Sequence, residues 1–518
     1  MQKVRLITML LLLLLAFQSN AQERDSIAVK DAASITEIEL STYINILASD
    51  SLMGRGTGQQ GEQIAAEYLA KEFQALGLPA VNEGSYFQEV PLKKYEPGGK
   101  IVAGNETFSL LEDFVQFGSK GDRLELDSLL FCGYGMESDT YNDFDGMDIE
   151  GRGVIMLKGE PANKHGISYI TGDTIKDNLE SDFMSKTRFV LGKGASVVFY
   201  AVEDFETTIM PYKEYFASAK MSLDEPGKKD ANRSPVFVIS NEVAREMMKV
   251  SGYDLEKVKK KISKKGKPQS FAFRSPVFVS TVTEPADVVG RNVLGYIEGS
   301  DLKDEIVIIT AHFDHLGTHD GKIFNGADDN ASGTSGLLEI AEAFAMARAA
   351  GNGPRRSILI MPVTAEEKGL LGSQYYSRDP VFPLENTIVN LNIDMIGRHD
   401  KKHGGKPNYI YVIGADRLSQ DLHDINEWAN ETYVGMDLDY TYNDKNDRNN
   451  YYERSDHFNF ARKNIPVIFY FSGNHEDYHT ETDTPEKIEY DRLLQRTRLV
   501  FFTAWHLANE DERPMLND

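Results

Sequence analysis

Four short apolar runs, each delivering a histidine or an acid at or just past its carboxyl end, constrain this chain more than any other feature. Residues 306–310 (IVIIT) lead into His312, Asp314 and His315. Residues 357–363 (SILIMPV) lead into Glu366 and Glu367. Residues 387–393 (TIVNLNI) end at Asp394, and residues 465–471 (IPVIFYF) lead through Gly473 to Tyr478 and His479. Unbroken β-branched runs of this kind are read as strands buried on both faces of a largely parallel sheet. Open α/β sheets gather their sites at the carboxyl ends of such strands. A polar loop ending in Asp328-Asp329-Asn330 follows the first run, and residues 336–347 then have the spacing of a packed helix. The expected fold is α/β, with a mixed central sheet and helices on both faces.

Length adds a second unit. At 518 residues the chain exceeds one ordinary domain. Residues 61–76 read as an amphipathic helix stopped by Gly77. Ser34 with Glu37 fits a capping box opening a helix over 35–51, and residues 22–33 read as a mobile leader. Between about 85 and 282 short strand-like pieces alternate with Gly and charged turns. The division expected is a signal segment at 1–21, an amino-terminal part of the main domain at 22–95, a β-rich insert at 96–275, and the main part at 276–518. The polar stretch 398–454 holds one expected helix, at 418–431, and otherwise reads as an exposed loop walling a cleft.

Charge and cysteine usage bound the surroundings. Lys plus Arg number 56 and Asp plus Glu number 80, a formal charge of −24. That disfavours nucleic acid and anionic membranes as partners. Lys3 and Arg5 precede the Leu-rich run 6–17, and Ser19-Asn20-Ala21 follows it. This is the pattern of a secretory signal peptide cleaved after Ala21, so the chain is expected to be exported, periplasmic or secreted, without a membrane anchor after cleavage. The competing reading, a retained anchor, is disfavoured by the short run. Cys132 is the single cysteine, so no intrachain disulfide forms, and its apolar setting reads as that of a buried small hydrophobe.

The collected side chains, two imidazoles and several carboxylates, suit metal ions sharing a carboxylate. Paired metals of that kind polarise a carbonyl and activate a water, while a nearby carboxylate that is not a ligand accepts the proton. Adjacent Glu366 and Glu367 fit this division of labour. Bland readings stand beside it: Asp314 and Asp328 as turn caps, Tyr478 as a packing aromatic, and His315, His319, His457 and His475 as surface or wall residues.

The set His312-x-Asp314, Gly326-Ala-Asp-Asp329-Asn-Ala-Ser-Gly333, Glu366-Glu367-x-Gly-Leu-Leu-Gly-Ser373, Asn392-x-Asp394 and Tyr478-His479-Thr resembles the M28 family of co-catalytic zinc aminopeptidases. The 96–275 insert, with FCGYG, YNDFDG and GRGVIMLKGEP, resembles a protease-associated (PA) domain. The resemblance implies a zinc-exopeptidase-like fold and two zinc ions per chain. His312 and Asp394 would hold one ion, Glu367 and His479 the other, and Asp329 would bridge them. It also implies a cis peptide after Asp329, Glu366 as general base, Asp314 as the carboxylate that fixes the tautomer of His312, and Tyr478 as donor to the oxyanion. The activity implied is aminopeptidase action on peptide substrates. The alternatives are a carboxypeptidase or one-zinc glutaminyl cyclase of the same fold, and a non-catalytic binding protein.

Overall fold

The computed structural model describes residues 24–117, 121–175, 179–225, 234–405 and 408–517. The expected signal segment lies outside the described residues. The chain divides into two compact units, one running to Leu92 and resuming at Val288, the other spanning Lys93–Asp287.

In the first unit a seven-stranded sheet is built from β1 (Gly295–Ile297), β2 (Leu302–His312), β3 (Arg356–Val363), β4 (Thr387–Ile393), β5 (Tyr409–Ile413), β6 (Asp437–Asp439) and β7 (Val467–Phe471). The spatial order is β1-β3-β2-β4-β7-β5-β6. The four central strands, β3, β2, β4 and β7, are mutually parallel. β1 and β5 run antiparallel to their inner neighbours, making the sheet mixed. The register sets Thr310 beside Asn392, His312 beside Val363 and Ile393 beside Tyr470, which aligns the carboxyl ends of all four.

The strict alternation of side chains along a strand divides β2 between two cores. Val307, Ile309 and Ala311 join one cluster. Ile306 and Ile308 join another, with Phe460 and Tyr376. Six helices of this unit are α1 (Ser26–Ala32), α2 (Glu37–Leu47), α3 (Gln60–Ala75), α4 (Gly333–Ala349), α5 (Gln420–Ala429) and α6 (Tyr490–Asn509). The first core takes its helical share from α1 to α6, through residues such as Ala28, Leu40, Phe73, Phe344, Leu422 and Phe501. Gly77, at φ 74°, turns the chain out of α3.

Three expectations need correction. The supposed leader forms α1: Asp25 caps it, Ala28 and Ala32 are buried, and Trp505 Nε1 donates to Asp25 Oδ2 at 2.8 Å. The cap of α2 is Thr36, not Ser34. Thr36 Oγ1 accepts from Glu39 N at 3.2 Å and donates to Glu39 Oε2 at 2.6 Å, while Ser34 Oγ donates back to Asp31 O. The stretch 398–454 contributes two strands to the sheet, and β5 is buried along its whole length. Its YIYVI run hides its tyrosine hydroxyls by donating to Asp400, which a hydropathy reading does not foresee.

The second unit carries its own eight-stranded sheet, with buried central strands Gly153–Leu157, Val197–Val202 and Val236–Ser240 and helices such as Leu179–Gly192 and Asn241–Lys249. Cys132 is buried within it, and burial pushes its thiol up to about 12.

Candidate metal centre

The candidate side chains stand at a strand's end, in segments that follow strands, or in the loop that opens α4. β2 ends at His312 and β4 stops one residue before Asp394. Glu366 and Glu367 follow β3 after Ala365, His479 follows β7, and Asp329 sits in the loop that opens α4. Ala365, Met395 and His479 have φ of 56°, 55° and 58°, values that L-residues rarely adopt. The Asp329-Asn330 peptide is cis.

Asp329 is the hub. Its Oδ1 lies 3.3 Å from His312 Nε2, and the same nitrogen lies 3.2 Å from Asp394 Oδ1. Its Oδ2 lies 3.1 Å from His479 Nε2, which is 3.4 Å from Glu367 Oε2. One carboxylate therefore presents an oxygen to each of two nitrogen–carboxylate pairs. Asp329 Oδ2 is buried and has no hydrogen-bond partner, despite the nearby imidazole. A donor atom aimed at other donor atoms, rather than at a proton, is what a cation site leaves in the protein. The charge balance agrees. Against burial, Asp394 raises the basicity of His312 and Glu367 raises that of His479 to about 11. Burial works against charge on Asp329 too, but His315, His312 and His479 hold it well below the usual carboxylate range. The residues fit two adjacent divalent ions of the kind that accept nitrogen and oxygen ligands.

The surroundings explain why these groups hold still. Asp394 Oδ2 accepts from Ser455 Oγ at 2.7 Å, Ser455 Oγ accepts from Asn392 Nδ2 at 2.8 Å, and Asn392 Oδ1 accepts from Thr310 Oγ1 at 2.6 Å. All of these are buried, so the chain of dipoles is strengthened by its low-dielectric setting. Asp483 accepts from the backbone N–H groups of Asp328 and Asp329. Asn330 Nδ2 donates to Ile393 O at 2.9 Å and its Oδ1 accepts from Met395 N at 3.1 Å, tying the loop to the end of β4. Gly326 is obligatory: at φ 58° a Cβ there would lie 2.1 Å from Asp329 O and 2.5 Å from the His315 ring.

All five expected ligands, with Glu366 and Tyr478, line one small cavity of about 40 Å³. Burial raises the Glu366 carboxyl well above its usual range, and Asp394, Glu367 and Asp456 raise it further against the pull of His312. Tyr478 is half-buried and stacks on His479, ring centroids 3.8 Å apart. Burial pushes its phenol up, and Asp329 and Glu367 add to the effect.

Two assignments change. The tautomer of His312 is fixed by the backbone carbonyl of Asp314, 3.0 Å from Nδ1, not by its carboxylate, which stands 3.9 Å away. That carboxylate turns elsewhere, accepting from Thr57 Oγ1 at 2.7 Å and from Glu366 N at 3.1 Å. Asp314 thus positions the backbone of Glu366. His315 is no surface residue. It is fully buried, 3.0 Å from Glu367 Oε1 and 3.7 Å from Asp329 Oδ2, and with those two it forms a second possible ligand group. Its sequence signal was its place three residues after His312, at the end of the same strand. His475 is buried against Asp328 at 3.2 Å. His457 is buried flat on Phe469, where burial pushes its imidazole down to about 3, that of a neutral core residue. His319 is exposed.

The protein is of the α/β class, with a mixed sheet that gathers imidazoles and carboxylates into candidate metal-binding groups near its strand ends. Residues 292–504 match the model of peptidase family M28. It is 30% identical over 234 residues to the aminopeptidase YwaD of Bacillus subtilis (strain 168), covering 43% of this chain and 46% of that one. It is 26% identical over 276 residues to a probable zinc metalloprotease of Pyrenophora teres f. teres, covering 44% and 54%. A probable glutamate carboxypeptidase of Arabidopsis thaliana is 30% identical over 218 residues, covering 41% and 28%. The chain spans about half the length, or less, of these curated relatives. Among solved structures, an aminopeptidase from Aneurinibacillus sp. strain AM-1 shares the fold, with a TM-score of 0.54, 17% identity, and 95% and 98% of the two chains covered.

Proposed function

We propose that this chain is an exported two-zinc metallo-exopeptidase, an aminopeptidase that removes the first residue of peptides. The observation that carries the reading is Asp329 standing between the His312–Asp394 and Glu367–His479 pairs, with Glu366 in the same cavity. His312 and Asp394 would hold one ion, Glu367 and His479 the other, and Asp329 both. Zinc ions bound there supply Lewis-acid polarisation of a peptide carbonyl and a water acidified towards neutrality. Glu366 accepts the proton of the attacking water on its carboxylate and returns it to the leaving amine as the C–N bond breaks. A carboxylate in that place can both take and give the proton. The Tyr478 hydroxyl is available to donate to the carbonyl oxygen as charge builds on it. The Lys93–Asp287 unit is read as a PA-like insert on its sequence motifs. Among the described residues no helix is long and apolar enough to cross a membrane.

The test is elemental analysis of the purified chain combined with hydrolysis of peptides with free and acetyl-blocked amino termini. Two zinc ions per chain and cleavage of free peptides alone are expected. A second reading, carboxypeptidase action, rests on the glutamate carboxypeptidase relative. Release of carboxyl-terminal residues from blocked peptides would establish it, and a single zinc equivalent would favour the cyclase chemistry.

A further inference from the structure

The cavity holding the candidate ligands has one cationic side chain, among the described residues lining it, that cannot serve as a ligand: Arg454. Its guanidinium offers five N–H donors in a planar fork. Among the described residues only the Tyr478 hydroxyl comes within hydrogen-bond reach, at 3.5 Å, and the guanidinium carbon sits 5.0 Å from the Tyr451 ring. No carboxylate among the described residues pairs with it, although Asp329, Glu366, Glu367 and Asp394 line the same cavity. Those four negative charges match two divalent ions, so the charge of Arg454 is left for something else. Arg454 is itself exposed, and Met395, Phe469, Phe471 and Tyr451 line the same cavity.

We propose that Arg454 binds a carboxylate group of the substrate, on the evidence of an exposed guanidinium that lines the candidate metal cavity beside Tyr451 and Tyr478 and has no carboxylate partner among the described residues. This rests on the peptidase reading of the same site. The carboxylate has two sources: the free carboxyl terminus of a dipeptide, or the acidic side chain of a residue flanking the scissile bond. A fork of N–H donors fits either one bidentately, which a lysine ammonium does not.

The experiment compares zinc-loaded wild type with Arg454→Met and Arg454→Lys on two matched pairs: Leu-Ala against Leu-Ala amide, and glutamyl against glutaminyl p-nitroanilide. The readout is the ratio of kcat/KM for the charged substrate to that for its neutral partner. In Arg454→Met that ratio should fall by ~10–100-fold in at least one pair, mostly through KM, the loss expected when a charge-assisted bond is truncated. Arg454→Lys should recover part of it. A fall confined to the first pair assigns the terminal carboxylate, and one confined to the second assigns the acidic side chain. Ratios unmoved in both pairs, including a uniform loss on all four substrates, would overturn the inference while leaving the peptidase reading intact. Failure of the zinc-loaded wild type to cleave any of the four would remove both.

Discussion

The Nδ1 atom of His315 lies 3.0 Å from Oε1 of Glu367, so a fully buried imidazole beyond β2 braces a carboxylate beyond β3. The brace is itself fixed, because His315 N donates to Arg55 O at 3.1 Å. The side chain of buried Arg55 in turn donates to the carbonyls of Phe313, Asn325 and Gly326. Replacing His315 with Ala leaves Glu367 Oε1 without that donor. Zinc affinity at the Glu367 side should fall by ~10–100-fold, the usual cost of losing an outer partner of a metal ligand. Competition against a chromophoric chelator measures it. Wild-type affinity in the variant would reduce His315 to a filler of space.

Glu366 lines the cavity beside Glu367, yet it has neither imidazole of the metal centre as a hydrogen-bond partner. Glu366→Gln keeps the volume and removes the proton acceptor. The variant should keep the metal content of wild type by elemental analysis and lose ~10²–10⁴-fold in kcat. A variant with undiminished kcat would place the base elsewhere.

Ser455 passes a hydrogen bond from Asn392 to Asp394. Ser455→Ala removes the donor to Asp394 Oδ2 and the acceptor for Asn392 Nδ2 in a buried setting. The expected cost is ~1–3 kcal/mol in urea unfolding of the metal-free chain, together with weaker zinc retention. Unchanged stability would show that water replaces the hydroxyl.

Glu339 on α4 is buried beside Glu39 and Glu342, and burial first, then those two neighbours, raises its carboxyl from 4.5 to about 8. Thr36 N donates to its Oε2 at 2.7 Å, which favours the charged form but does not prevail. The folded chain therefore keeps this proton between pH 4.5 and about 8 while the unfolded chain has released it. Its contribution to stability is fully present below the lower value and is lost as pH rises through the upper one. Glu339→Gln is neutral throughout and can still accept from Thr36. The melting temperature of the variant should gain on wild type from pH 5 to about pH 8 and level off above that. A difference independent of pH would mean that Glu339 stays charged in the fold.

Much of the architecture could be read from the chain. Strands β2, β3, β4 and β7 are continuous apolar runs because both faces of a central parallel strand are covered, so their burial is written locally. His312, Asp329, Glu367, Asp394 and His479 stand at the ends of those runs or in the loop between them, and the structure brings all five together. Less local features stayed hidden. Helix α1 is too short to announce itself by periodicity, and it is held by Trp505, nearly the whole chain away. β5 joins the sheet with tyrosines whose hydroxyls are answered by Asp400.

The sequence by itself determined which residues lie at strand ends and which chemical types are available there, because alternation and apolar run length depend only on neighbours in the chain. Tertiary structure decided which atoms face which. The Asp314 carbonyl rather than its carboxylate meets His312, His315 rather than bulk water meets Glu367, and Arg454 lacks a carboxylate partner among the described residues in a cavity with four. Those choices turn on a few tenths of a nanometre between segments tens to hundreds of residues apart. Only the packing of the whole sheet fixes such distances.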